Sequence, residues 1–261
     1  MSDALEVQDL AVRFGGVAAL GGVTFAVQPE TVTSLIGPNG AGKTTAFNVI
    51  TGFQSPTAGR VTYGGEPITR WRPHRIAARG LVRTFQRTSV FPALSVMDNV
   101  LTGLHLRGRI GLAGALLRRD RVRAEERGLR DDARRVIEFV GLGTRGDALA
   151  SALAYGEQRL LELAIALAAR PRVLLLDEPG SGMTASEKAT LAALILKIRD
   201  DGITVFLVEH DMRLVMGISD RVLVLNGGRL IADGTSADVQ RDPEVIRAYL
   251  GHGGQGAHAG A

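Results

Sequence analysis

Gly37-Pro38-Asn39-Gly40-Ala41-Gly42-Lys43-Thr44-Thr45 has the residue types and spacing of a phosphate cradle, G-x-x-x-x-G-K-[ST]. Turned backbone N–H groups and the start of a helix aim partial positive charge at one spot, which is what a phosphate group needs. The glycines admit close approach of the backbone. Lys43 is expected to reach the β- and γ-phosphates of a nucleotide, and the Thr44 hydroxyl to sit on Mg²⁺. The flanks suit the motif: Thr31 to Ile36 reads as a buried strand and Thr44 to Thr51 as a helix.

A second constellation complements the first. Val173-Leu174-Leu175-Leu176-Asp177-Glu178 is an apolar strand delivering two carboxylates at its C-terminal end, where ligands bind in open α/β sheets. Asp177 is placed to support the Mg²⁺ shell, and Glu178 is a candidate general base for the attacking water. Val208-Glu209-His210-Asp211-Met212 ends the next buried strand, so His210 is expected on the same edge, able to donate to the γ-phosphate and hold the water. Gln86 follows a short apolar strand, and its neutral amide could contact Mg²⁺ or the water without adding charge. Leu153-Ala154-Tyr155-Gly156-Glu157-Gln158-Arg159 opens the apolar helix Leu160 to Ala169, and a glycine at a helix start offers a second anion site.

The elements that must hold these groups follow from periodicity. Leu5 to Phe14, Val23 to Val27 and Val32 to Ile36 are β-type runs separated by Gly15-Gly16 and Gly21-Gly22, which reads as antiparallel strands with glycine turns. Gly59 to Gly65 is a further short strand and its turn. From about residue 73 to 170 the pattern turns helical, with apolar spacing over 95–106 and over 122–140 (Val122, Leu129, Ala133, Val136, Ile137, Val140). After 170 the order is strand, helix Ala185 to Arg199, strand Ile203 to Val208, which implies a parallel sheet with helices on its faces. Asn226-Gly227-Gly228 between two β-type runs signals a hairpin. The tail, 251–261, cannot bury a core and is expected to be disordered, and its histidines are not expected to bind metal.

Composition narrows the class. The 261 residues are 45% hydrophobic, enough for one large domain or two modest ones. Without cysteine, disulfides and Cys-ligated metals are excluded and a cytosolic location is comfortable. No signal peptide is expected from the first residues, and no apolar run approaches the roughly 18 residues that span a bilayer. The net charge of +4 is mostly scattered arginine. Arg118, Arg119, Arg121 and Arg123 precede Glu125, Glu126, Asp131 and Asp132, as on a solvated, salt-bridged helix. For that run a phospholipid or partner-facing surface is the alternative; Arg70 to Arg75 with Arg79, Arg83 and Arg87 form the other arginine cluster. No aromatic residues interleave as single-stranded nucleic acid would require.

In this order the motifs resemble the ATP-binding subunit of an ABC transporter from about residue 5 to 250, with Walker A at Gly37–Thr45, Walker B and its glutamate at Val173–Glu178, the Q-loop at Gln86, the switch histidine at His210 and the signature at Leu153–Gln158. Phe14 falls where that family stacks an aromatic on adenine; otherwise it is a half-buried strand aromatic. Pro73-His74-Arg75-Ile76-Ala77, Arg83-Thr84-Phe85-Gln86, Phe91 to Val100, the Ala154-Tyr155-Gly156 form of the signature, Gly182-Met183 and Val245 to Gly251 are similar to the larger ATPase of branched-chain amino acid importers; urea and short-chain amide importers look much alike.

The resemblance implies one nucleotide-binding domain over 1–250: a mixed RecA-like core sheet, an N-terminal antiparallel β-subdomain and a helical subdomain inserted at about 88–170. It implies ATP and Mg²⁺, membrane permeases docking at residues 83–100, and a second ATPase subunit, with a heterodimer favoured. Indirectly it implies a solute-binding protein, and it places the chain peripherally on the cytoplasmic face of the inner membrane. ATP held between two such subunits closes the dimer, and hydrolysis reopens it. Three residues depart from the family pattern: Ala154 replaces a serine, Glu157 a glutamine, and Thr184 an acid or amide. Glu157 should repel ATP unless it points away or pairs with an arginine. The rivals are a nucleic-acid- or ribosome-acting ABC protein, which would usually carry two cassettes, a P-loop small-molecule kinase, which would need a lid, and a binding-only subunit with a degenerate half-site.

Overall fold

The strand-type runs assemble into two sheets in the computed structural model, which describes residues 4–84, 90–104 and 119–250. One is antiparallel, ordered β2 (Val17–Val27), β1 (Leu5–Phe14), β4 (Ala58–Tyr63) and β5 (Glu66–Pro67). The other runs β10 (Arg229–Gly234), β9 (Arg221–Asn226), β3 (Val32–Ile36), β8 (Thr204–Val208), β7 (Val173–Asp177) and β6 (Leu81–Arg83). Its neighbours are parallel except in the β9–β10 hairpin.

Two expectations about the N-terminal strands fail. Val32–Ile36 does not join the antiparallel sheet. All its residues are buried, which suits the centre of a parallel sheet covered on both faces. Gly15-Gly16 makes a turn, but Gly21-Gly22 lies inside β2, where the register with β1 slips. This is a bulge that bends the strand toward the β9–β10 hairpin, and the Gly21 N–H donates to Gly228 O at 2.8 Å.

Strand alternation then sorts the core. Val173, Leu175, Phe206, Val208 and Leu35 face the antiparallel sheet and helix α1 (Lys43–Ile50). Phe206 packs on Phe47 of α1 at 5.0 Å and on Phe25 of β2 at 5.5 Å, contacts that seat α1 between the sheets. Helix α2 (Pro73–Ala78) contributes Ile76 to this side.

Leu174, Leu176, Val205 and Leu207 face the opposite way. They share a core with α3 (Val96–Leu104), α4 (Arg119–Phe139), α5 (Tyr155–Ala168) and α6 (Ala185–Asp200). Leu129, Ala133, Val136, Ile137 and Val140 point into it as their spacing predicts; the side chain of Val122 lies outside the described residues. The outer side of α4 carries Arg130–Glu126, Arg134–Asp131 and Arg135–Asp132 pairs, made by later arginines than those the charge pattern singled out; Arg118 and the side chains of Arg119, Arg121, Arg123 and Glu125 lie outside the described residues. A third cluster joins Ile36 and β9 to α7 (Met212–Ile218), α8 (Ser236–Arg241) and α9 (Pro243–Leu250). Among the described residues no helix is long and apolar enough to cross a membrane.

The parallel order has one consequence for chemistry. The C-terminal ends of β3, β8, β7 and β6 are neighbours on one sheet edge, so the loops after them converge.

Candidate functional site

The Gly37–Thr45 loop leaves β3 and enters α1. Gly37 (φ 150°) is pressed so close to β9 that a Cβ there would lie 2.0 Å from Leu225 O. Gly42 (φ 106°) begins α1 without any side-chain cap, and a Cβ would lie 2.6 Å from Ala19 O. Fixed from both sides, the loop turns the free N–H groups of the α1 start outward, next to exposed Asn39, Gly40 and Thr44. Pro38 and Ala41 are buried, and Thr45 is half-buried. Lys43 is itself buried, with Nζ donating to Gly37 O at 2.7 Å and Pro38 O at 3.0 Å. Burial lowers its pKa, and the charges of Glu178 and Asp177 oppose that shift, so both carboxylates lie within electrostatic reach of the ammonium.

Asp177 follows Val173 and Leu175 on the face of β7 that looks toward α1. Its Oδ2 accepts from Arg83 Nη2 at 2.6 Å, in a pair almost wholly removed from solvent. Arg83 Nη1 also donates to Asn48 Oδ1 at 2.7 Å and to Thr51 Oγ1 at 3.3 Å, tying the end of β7 to the end of α1. Asp177 Oδ1 is buried with no hydrogen-bond partner. This orphaned carboxylate oxygen and the exposed Thr44 hydroxyl on the phosphate loop are oxygen donors of the kind a hard divalent cation takes.

Glu178 turns sharply out of the strand with φ 49°, a left-handed conformation rare for such a residue, while its N–H donates to Val208 O at 2.9 Å. The His210 ring comes from the adjacent β8 loop, with Nδ1 4.0 Å from Glu178 Oε2 and 3.8 Å from Glu209 Oε2. Glu178 and His210 both retain solvent access, which suits groups that must handle water. Gln86 lies outside the described residues.

The Ala154–Gln158 segment finds its polar partners away from the phosphate loop. Ala154 is the N-cap of α5 and has no side-chain cap of its own. Glu157 supplies one instead: its Oε2 accepts from Ala154 N at 2.9 Å, and both its oxygens accept from Arg145 at 2.9 and 3.2 Å. The Arg145 guanidinium holds this carboxyl below the usual range, so the charge is paired with an arginine. Gln158 donates to Leu153 O at 3.1 Å. The Tyr155 hydroxyl donates to Ser181 O at 2.8 Å, and the Arg159 guanidinium stacks over its ring. Gly156 presses against Glu187, since a Cβ there would lie 2.3 Å from Glu187 Oε1, and the Glu187 carboxylate accepts the N–H and hydroxyl of Thr184. The helix start read as a second anion site thus has an in-chain carboxylate, Glu187, beside its glycine. Thr184 is the N-cap of α6, in a capping box with Glu187.

Phe14, the last residue of β1, is more than half exposed and pairs at the hairpin tip with exposed Val17 of β2, the strand that supplies Ala19 and Leu20 to Gly42. Motif reading missed four residues. Arg83 and Glu209 reach the cluster through sheet order, which spacing does not reveal. Glu187 was visible as the T-x-x-E capping pattern. Tyr249 of α9 is half-buried against the Ile36 cluster with its hydroxyl buried and without a hydrogen-bond partner, and burial pushes its pKa up to about 12.

Known proteins agree with this geometry. A family model for ABC transporters matches residues 20–181, and one for branched-chain amino acid ATP-binding cassette transporters matches residues 229–254. The chain is 44% identical to BraF of Pseudomonas aeruginosa, a high-affinity branched-chain amino acid transport ATP-binding protein, over 95% of this chain and 97% of the relative. Identity to LivG of Escherichia coli K12, which carries the same description, is 42% over the same shares. Among solved structures, an ATP-binding cassette of an ABC transporter in its ADP conformation superposes with a TM-score of 0.84 at 30% identity, covering 96% of this chain and 100% of that one. A nucleotide-free ATP-binding cassette gives 0.83 at 30% identity, covering 95% and 99%. The chain therefore belongs to the ABC transporter family, as one of its ATPase subunits.

Proposed function

We propose that this chain is the ATP-hydrolysing subunit of a membrane importer for branched-chain amino acids. The observation that carries the chemistry is the convergence of Lys43, Asp177, Glu178 and His210 on one sheet edge. The relatives' printed descriptions carry the solute class. In this reading ATP lies on the 37–45 loop, with Phe14 against the base. Lys43 exchanges its bonds to Gly37 O and Pro38 O for the β- and γ-phosphates. Thr44, Asp177 and Gln86 would hold Mg²⁺, which when bound neutralises charge on the β- and γ-oxygens. Glu178 takes a proton from the attacking water, and His210 orients that water and the γ-phosphate.

The signature segment, Ala154–Gln158, acts on the nucleotide of a second ATPase subunit, a smaller paralogue. Permeases dock on 83–100, where Phe91 and Leu94 present exposed apolar surface. Residues 88–170 form the inserted helical subdomain of a single domain, 1–250, with 251–261 as a tail. The assembly sits on the cytoplasmic face of the inner membrane and works with a solute-binding protein.

The test is leucine uptake in cells lacking this gene. Uptake should return with the wild-type chain and not with Glu178→Gln. The purified variant should bind ATP normally but hydrolyse it about 10²–10⁴-fold more slowly. Undiminished turnover would remove Glu178 from its role; leucine uptake unaffected by the deletion, with urea uptake lost, would favour the urea-type alternative.

A further inference from the structure

The residue between β8 and His210 has no role in the chemistry above, yet among the described residues it is one of the most buried charged groups. Glu209 is only 1% exposed. A carboxylate that far from water persists only where donors surround it. Its donors are three backbone N–H groups: Gly180 to Oε1 at 2.8 Å, and His210 and Asp211 to Oε2 at 2.9 and 3.2 Å. Lys188 does not serve it, because that ammonium is bound to Asp211 at 2.6 Å.

The placement of these donors matters. Strands β7 and β8 pair through Asp177 opposite Val208, and the last backbone bond between them runs from Glu178 N to Val208 O. Beyond that point the ladder stops, and Glu178 and His210 stand on separate loops. Glu209 replaces the missing rung: one oxygen holds the loop after β7 at Gly180, and the other holds the loop after β8 at His210. Gly180 is matched to this contact, since a Cβ there would come 2.9 Å from Oε1 and 3.2 Å from Leu214 Cδ2. Two residues earlier, Glu178 holds its left-handed φ of 49°, a conformation that survives only where the surroundings over-determine it.

We propose that Glu209 is a positioning residue for hydrolysis, a buried clamp that sets the 4.0 Å approach of His210 to Glu178. The inference rests on the proposed roles of Glu178 and His210, and the experiment separates its failure from theirs. In the assembled transporter, Glu209→Gln keeps the shape but replaces one acceptor oxygen with a donor, which opposes an N–H on one of the two loops. Gly180→Ala disturbs the same contact from the other side and serves if Glu209→Gln does not fold.

Turnover at saturating ATP should fall about 10- to 100-fold in each variant, the cost of misplacing a catalytic group by about 1 Å. Affinity for a fluorescent ATP analogue should stay within about threefold, because the phosphate loop is untouched. On a His210→Ala background Glu209→Gln should add little further loss. Turnover within about threefold of wild type, affinity falling in step with turnover, or full additivity with His210→Ala would each overturn the proposal. A Glu178→Gln control that still turned over would sink the base assignment instead. If that control is dead while Glu209→Gln is active, only the clamp is lost.

Discussion

Replacing Arg83 with methionine should destabilise this protein severely, and Mg·ATP should repair more of the loss than it adds to the wild type. The side chains of Arg83 and Asp177 are 7% and 1% exposed and meet at 2.6 Å. Methionine fills much of the arginine stem's space but leaves the Asp177 charge buried without its counter-ion, and it deprives Asn48 Oδ1 and Thr51 Oγ1 of a donor. Removing one partner of such a pair costs about 3–5 kcal/mol. At about 2–4 °C per kcal/mol for a chain of this size, Tm should fall by roughly 6–20 °C. The double variant Arg83→Met/Asp177→Asn should recover part of that fall, because no uncompensated charge then remains. Calorimetry of the variant with Mg·ATP, with metal-free ATP and without nucleotide would divide the effect, since a cation beside Asp177 supplies the missing positive charge. A Tm within about 1 °C of wild type, or a double variant worse than Arg83→Met alone, would refute the reasoning.

Lys43→Ala should abolish ATP binding in calorimetric titration without lowering Tm, because the variant removes a charge that burial disfavours. Arg145→Ala should release the Glu157 carboxylate and weaken ATP-driven association by about fivefold, measured by sedimentation on a Glu178→Gln background, and adding Glu157→Gln should restore it. The Lys188 ammonium holds the Asp211 carboxyl below its usual range, so that contribution to stability is complete above a carboxylate's ordinary pKa near 3.9 and disappears as pH falls through the lower folded value. Lys188→Ala should therefore lose less Tm than wild type as pH is lowered from about 5 to 3; parallel curves would exclude the linkage.

The architecture was legible wherever a local pattern implied a partner. The 173–208 alternation of apolar strand, helix and apolar strand implies parallel pairing, and β7 and β8 pair that way. The heavily charged α4 still carries Leu129, Ala133, Val136 and Ile137 at helical spacing, and they point into the core. The reading failed at Gly21-Gly22 because two adjacent glycines look the same in a turn as in a bulge. What distinguishes the two is the neighbour, here Gly228 O at 2.8 Å, some two hundred residues later in the chain.

The site divides along the same line. Groups that would address a nucleotide were found because each sits on one contiguous strand–turn–helix unit. Their in-chain partners were not: Arg83 joins Asp177 across 94 residues and Glu209 joins Gly180 across 29, pairings that depend on β6, β7 and β8 being neighbours. This changes the electrostatics. Counted along the chain, the acids of these motifs promise repulsion toward a polyphosphate. In the fold Glu157 gives both oxygens to Arg145, Glu187 binds Thr184, Glu209 binds three amides, and Asp177 has committed one oxygen to Arg83. What these acids still offer beside Lys43 is one oxygen of Asp177 and the carboxylate of Glu178. A triphosphate approaching the loop therefore meets a field weighted toward Lys43 and the α1 N-terminus. The carboxylates left over are the two whose chemistry calls for a cation and a water.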